Sequence, residues 1–200
     1  MRTEQTEQVE QYVMAYGVEQ DRLRALLPEG FVSLRPVLRF NVEIRNDSRG
    51  YIEFNTAIEK DGNKGWLNIG YWHDVLFERD GKTVTFKTDF LELTFTGAGI
   101  EGTCPAEKDN DGCYFLEGGE KRIAPEVISV PKEFCDCRFK WKFTDTDASG
   151  VSTGKTLPAY PAEIQKIYPR EDFTAKNAAQ IPCEQVLGSY VVRFMRQIIT

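Results

Sequence analysis

RPVLRFNVEIRNDSRGYIEFNTAI, residues 35 to 58, decides how the chain is read. From Val37 to Ile44 the residue types alternate, with Leu38, Phe40, Val42 and Ile44 on one side and Arg39, Asn41, Glu43 and Arg45 on the other. That two-residue period belongs to a strand, whose successive side chains leave opposite faces. Asn46-Asp47-Ser48-Arg49-Gly50 is turn chemistry, because short polar side chains bond their own backbone and glycine adopts conformations closed to other residues. Tyr51 to Ile58 then resumes an extended pattern, Ile52 and Phe54 opposite Glu53 and Asn55, which predicts an antiparallel hairpin. Each of its two strands carries a polar face.

Working outward, Asp61-Gly62-Asn63-Lys64-Gly65 makes the next turn and Trp66 to Trp72 the next strand, and Asp80-Gly81-Lys82 separates runs at 74–78 and 83–96. Successive hairpins predict an antiparallel sheet or barrel. Residues 97–119, rich in Gly, Asp, Asn and Cys, read as a loop, and Asp145 to Gly154 as a turn. Between them Arg138, Lys140 and Lys142 alternate with Phe139, Trp141 and Phe143 as a half-buried strand. Toward the N-terminus, a strand near Tyr12 to Tyr16 precedes a short helix from Gln20 to Leu27, which Pro28-Glu29-Gly30 ends. At the other end Val186, Leu187, Tyr190, Val191, Phe194, Met195 and Ile198 recur at three- and four-residue steps behind Pro182, which predicts a C-terminal helix. Shorter helical pieces are expected at 162–167 and 171–179.

Two hundred residues, 41% hydrophobic and 28% charged, fit one domain spanning 1–200 with its own core. No window holds the ~20 apolar residues of a membrane-spanning helix, and the start, MRTEQTEQVEQ, lacks the basic and apolar run of a secretory signal. A net charge of −6 does not favour nucleic acid. These features predict a cytoplasmic protein with no membrane or nucleic-acid role; self-association is left open.

The segment MAYGVEQDRLRALLPEGF, residues 14 to 31, followed by residues 35 to 50, resembles the opening of acetoacetate decarboxylases. The likeness extends loosely to Gly70-Tyr71 and returns near the C-terminus, covering about half the chain. It implies a mainly β, α+β fold: a curved antiparallel β-barrel or cone over a central cavity, flanked by a few helices including a C-terminal one. It also turns the polar face of the hairpin inward, so that Arg39, Asn41, Glu43, Glu53 and Asn55 become candidate substrate-binding residues, a guanidinium and carboxylates suited to an anionic or hydroxylated molecule. The opposing reading of that face is a solvated sheet surface.

Family chemistry uses a lysine kept neutral by an apolar pocket and a neighbouring ammonium, so that it forms a Schiff base with a keto acid. No Lys-Lys pair occurs in this chain, and Asn41 stands where the resemblance places a glutamate, with Glu10, Glu43 and Glu53 as candidate displaced carboxylates. Lys87, Lys140 and Lys142 are the lysines to examine as relocated amines. His73 is the sole histidine, and its neighbour Asp74 points to the opposite side of a strand, which favours a surface role. Gly97-Ala98-Gly99 is too short for a dinucleotide fingerprint. Cys104, Cys113, Cys135 and Cys137 lack the paired knuckles of zinc modules, and no metal or cofactor is expected. Two readings stay open: an enzyme acting on a carboxylated or carbonyl-bearing metabolite by chemistry other than a lysine Schiff base, and a non-catalytic small-molecule binding domain. An odd cysteine count in an intracellular protein predicts reduced thiols. Thiol titration under denaturing, non-reducing conditions should therefore find close to five free groups; two native disulfides would contradict both expectations.

Overall fold

The computed structural model describes residues 4–102, 111–116, 119–122, 130–146, 152–156 and 172–199. In chain order these form β1 (Glu4–Val18), α1 (Gln20–Leu26), β2 (Val32–Arg45), β3 (Gly50–Lys60), β4 (Asn63–Asp80), β5 (Thr83–Lys87), β6 (Leu91–Gly102), β7 (Cys113–Leu116), β8 (Gly119–Arg122), β9 (Lys132–Trp141), β10 (Thr144–Thr146), β11 (Ser152–Thr156), α2 (Ala175–Ala179) and β12 (Cys183–Ile199). The expected helical piece at 162–167 and the region of Cys104 lie outside the described residues.

Eight strands close a ring in the order β3-β2-β1-β12-β9-β6-β5-β4, and β4 pairs back onto β3. Every pairing around the ring is antiparallel. The predicted hairpin is β2 and β3, with Phe40 opposite Phe54 and Asn41 opposite Glu53. Asn46 and Asp47 take left-handed conformations in its turn, φ 48° and 49°, which Asn and Asp tolerate better than most residues. The Asn46 side chain accepts the Gln8 backbone N–H at 2.9 Å, tying the turn to β1.

One side of each ring strand meets in a single core, to which Tyr12, Val191, Phe139, Leu93, Phe86, Ile69, Phe54 and Phe40 contribute one each. An eight-stranded barrel has an interior just wide enough for side chains, and here aromatic rings fill much of it. Phe40 lies 5.0 Å from Phe54 and 5.1 Å from Trp141, and Tyr16 stacks on Phe139 at 4.8 Å. α1 and α2 sit at the end where β1 finishes and β12 begins, adding Leu23, Ala175, Ala178 and Ala179 to the same core. Glu19 caps α1 by accepting two backbone N–H groups, and Thr174 caps α2. β7 lies outside the ring and runs parallel to β4, close enough that a Cβ on Gly65 would stand 2.2 Å from the Cys113 carbonyl oxygen. Only glycine allows that approach.

Several expectations change. Residues 186–198 are strand β12, not a helix; the short α2 directly precedes it. Val191 packs inside the barrel, whereas Tyr190 and Val192 pack outside it with Val13, Phe134 and Phe194. Burial on both faces removes the alternation that marks a strand, and the β-branched and aromatic residues that remain favour an extended chain. The runs at 66–72 and 74–78 are one strand that bends at Asp74, φ 56°. The run at 83–96 is instead divided by a turn in which Thr88 Oγ1 accepts the Phe90 and Leu91 N–H groups. The expected loop at 97–119 contributes strand at both ends, β6 running to Gly102 and β7 beginning at Cys113.

Phe40 touches partners from three strands of the ring. Phe40→Ala should cost about 3–5 kcal/mol, read as a lower denaturant midpoint with an unchanged slope.

Candidate functional site

The five candidate residues come together, but on the outside of the barrel. Leu38, Phe40, Val42 and Ile44 occupy the interior, so Arg39, Asn41 and Glu43 must face the other way. Arg39 Nε donates to Asn55 Oδ1 at 2.8 Å, and Asn41 Nδ2 to Glu53 Oε2 at 3.0 Å. The Arg39 guanidinium lies 3.5 Å over the Trp66 ring. Tyr114 of β7 covers this face, its hydroxyl oxygen accepting Asn55 Nδ2 at 3.3 Å and Asn68 Nδ2 at 2.6 Å. Glu43, 4% exposed, accepts Arg196 Nη2 at 2.5 Å, Arg45 Nε at 2.8 Å and Gln11 Nε2 at 3.3 Å. The inward orientation expected of this face is therefore corrected: strand alternation separates a polar side from an apolar one without saying which side the ring encloses.

At the end of the barrel opposite the helices lies a cavity of about 380 Å³, lined by Tyr12, Val84, Phe95 and Cys135 within and by Arg79, Lys82, Glu133 and Arg193 around the opening. Tyr12, 5% exposed, donates a short hydrogen bond to Glu10. The same carboxylate accepts Arg79 Nη1 at 2.9 Å and Arg193 Nε at 3.0 Å. Arg79 continues to Asp47 at 3.3 Å, and Arg193 to Glu133 at 3.1 Å. Around the mouth the charges thus alternate in a string, Asp47, Arg79, Glu10, Arg193 and Glu133. Burial works to raise the Glu10 pKa, but the hydrogen bonds from Tyr12, Arg79 and Arg193 outweigh it and hold the carboxyl below its ordinary 4.5. Burial, and then the Glu10 charge, push the Tyr12 phenol well up, so it keeps its proton at neutral pH.

None of the examined lysines lines the cavity. Lys87 projects outward from β5 to Glu78 at 2.9 Å, and that hydrogen bond raises its pKa, the reverse of what an amine nucleophile requires. Lys140 is exposed, and Lys142 Nζ donates to the Thr88 carbonyl at 2.6 Å. His73 is exposed beside Tyr51 and Tyr71, at 4.9 and 5.4 Å between ring centres. Cys113, Cys135, Cys137 and Cys183 are free thiols, and burial raises Cys135 and Cys137 above the ordinary 9.0. Among the described residues no cluster of His, Cys, Asp and Glu is arranged to hold a metal ion, and no helix is long and apolar enough to cross a membrane. Of the mouth residues, sequence reasoning singled out only Glu10; Tyr12, Arg79, Glu133 and Arg193 carry no local motif.

No protein-family model and no curated protein matches the chain. Solved structures do. The acetoacetate decarboxylase from Legionella pneumophila subsp. pneumophila str. Philadelphia 1 aligns over 100% of this chain and 88% of its own, with a TM-score of 0.52 and 13% identity. The enduracididine biosynthesis enzyme MppR complexed with pyruvate covers 97% of this chain and 87% of its own, with a TM-score of 0.55 and 12% identity. An acetoacetate decarboxylase-like enzyme from Sphingomonas wittichii RW1 gives 0.51 at 10% identity, covering 97% of this chain and 89% of its own. The chain has the acetoacetate decarboxylase-like fold.

Glu10 and Glu43 both titrate below the ordinary 4.5 when folded, Glu43 because its Arg196 and Arg45 partners overcome the effect of burial. A carboxyl depressed by folding contributes stability that is fully present above its unfolded pKa and lost as pH falls through its folded one. Denaturant midpoints should therefore drop on acidification below about 4.5. Glu43→Gln should start about 2 kcal/mol lower at neutral pH and show a flatter acid limb.

Proposed function

We propose that this acetoacetate decarboxylase-like barrel is a small-molecule enzyme, acting on a carboxylated, carbonyl-bearing metabolite at its mouth without a lysine Schiff base. The observation that carries this reading is the cavity itself, a space of about 380 Å³ with a buried phenol in its wall and three cations, Arg79, Lys82 and Arg193, at its opening. Guanidinium groups bind carboxylates with directed, charge-assisted hydrogen bonds, so Arg79 and Arg193 are the anchors for an anionic end. Pyruvate, with which the structurally similar enzyme MppR is complexed, has the size and charge class this mouth would take.

Imine formation needs a neutral amine, and each pKa unit by which a lysine stays high removes about tenfold of that form at neutral pH. Lys87 is shifted in the unproductive direction. The outer-face residues Arg39, Asn41, Glu43, Glu53 and Asn55 rank second as a binding surface in this reading. None of the five lines the cavity. The reading calls for no cofactor and no nucleic-acid or membrane partner.

Calorimetric titration with pyruvate and acetoacetate tests the site. Binding to the native chain should weaken at least tenfold in Arg193→Met and change little in Arg39→Ala or Glu53→Gln. Borohydride reduction in the presence of acetoacetate should add no mass to the intact chain; an adduct lost in Lys82→Ala, the lysine at the cavity opening, or in Lys87→Ala, Lys140→Ala or Lys142→Ala would reinstate Schiff-base chemistry. Binding without conversion of any keto acid offered would leave a binding domain.

A further inference from the structure

We infer that the barrel mouth is built to enolise its carbonyl ligand, Glu133 taking the proton α to the carbonyl while the Tyr12 hydroxyl, beside Arg79, holds the oxygen on which charge develops. This rests on the reading of the cavity as the site of a carboxylated metabolite.

Strand register supplies the geometry. Tyr12 of β1 pairs with Val191 of β12, and Val191 with Glu133 of β9, so the three stand in one row and face the same side. Neighbouring strands lie about 4.8 Å apart, which sets the Tyr12 and Glu133 backbones about 10 Å from each other. Both side chains line the cavity. One row nearer the mouth, Glu10 pairs with Arg193. Arg193 forks between the two carboxylates, Nε to Glu10 at 3.0 Å and Nη1 to Glu133 at 3.1 Å.

The two carboxylates are not equivalent. Glu10 accepts Tyr12, Arg79 and Arg193 at once and is not among the cavity-lining residues, so most of its lone pairs are committed. Glu133 lines the cavity, and its ion pair is to Arg193. Glu133 is therefore the base, and Glu10 a positioning residue that holds both guanidiniums at the mouth. Because Glu10 keeps Arg79 and Arg193 when the Tyr12 hydroxyl turns away, the phenol is able to move its hydrogen bond to a ligand oxygen. Burial keeps that phenol protonated, as a donor to a developing oxyanion must be.

In the step, the C–H bond next to the carbonyl breaks and its proton passes to the Glu133 carboxylate. The bonding pair becomes a C=C bond, and the carbonyl π pair moves onto oxygen, where the Tyr12 O–H receives it as a hydrogen bond. Reversal restores the keto form, so no oxidant, reductant or second substrate is consumed. In D2O a reversal that follows exchange of the Glu133 proton with solvent delivers deuterium to the α carbon.

The experiment follows the methyl signal of pyruvate by proton NMR in D2O with the full chain, against buffer alone at the same pD, and measures pyruvate affinity in parallel. Signal loss faster than buffer is expected. Glu133→Gln should return it to background while still binding pyruvate, and Tyr12→Phe should slow it roughly 10²-fold with an unchanged circular dichroism spectrum. Lys87→Ala should exchange like the native chain. Pyruvate bound but exchanging only at the buffer rate would overturn the inference and leave the proposed site standing. Native-rate exchange in Glu133→Gln would overturn the assignment of the base. Absence of pyruvate binding would remove the inference together with the reading beneath it.

Discussion

Closing eight strands into a ring gives every strand one side that must fit an interior no wider than its side chains. The rest of the structure follows from that limit. Rings from β1, β2, β3 and β9 interlock in the enclosed space, because aromatic side chains supply the most apolar surface per position. With the interior apolar, polar groups on the same strands go outward, where Asn41, Asn55 and Asn68 pair with Glu53 and the Tyr114 hydroxyl. Covering that layer with β7 is possible because Gly65 has no side chain in the way. The layer is imperfect: among the described residues Asn41 Oδ1 and Asn68 Oδ1 are buried without a partner, each a destabilising feature tolerated by a strongly packed barrel.

Polar chemistry enters the interior where the packing runs out, at the mouth opposite the helices. There Glu10 gathers a phenol and two guanidiniums, and its charge is preserved against the cost of partial burial. The alternation of signs from Asp47 to Glu133 spans β1, β4, β9, β12 and the β2–β3 turn, so the rim of the cavity is also a fastening of the ring.

What could be read from the residues depended on whether their two sides differ. The β2–β3 hairpin was plain because each strand has an apolar and a polar side joined by turn-forming residues. β12 was not, since Tyr190, Val191 and Val192 are all buried and their spacing imitates a helix. The orientation of the polar face was hidden for a different reason, as periodicity is blind to which side a closed sheet encloses. The mouth was hidden by distance along the chain: Glu10 meets Arg79 across 69 positions and Arg193 across 183. No local spacing encodes such a meeting, and the resemblance to decarboxylases brought forward Glu10 alone.

The place of β12 in the ring has a bearing on how the protein comes to be folded. β12 lies between β1 and β9, pairing with β1 from Glu4 to Val18. Until residues 183–199 leave the ribosome, β1 and β9 each present an unpaired edge beside exposed aromatic rings, the state most open to misassociation. The contacts that finish the ring join the earliest strand to the latest, which places this chain among the slow, topologically demanding folders. A nascent β1 therefore has to wait, paired on one edge with β2, for a partner that begins only at Cys183.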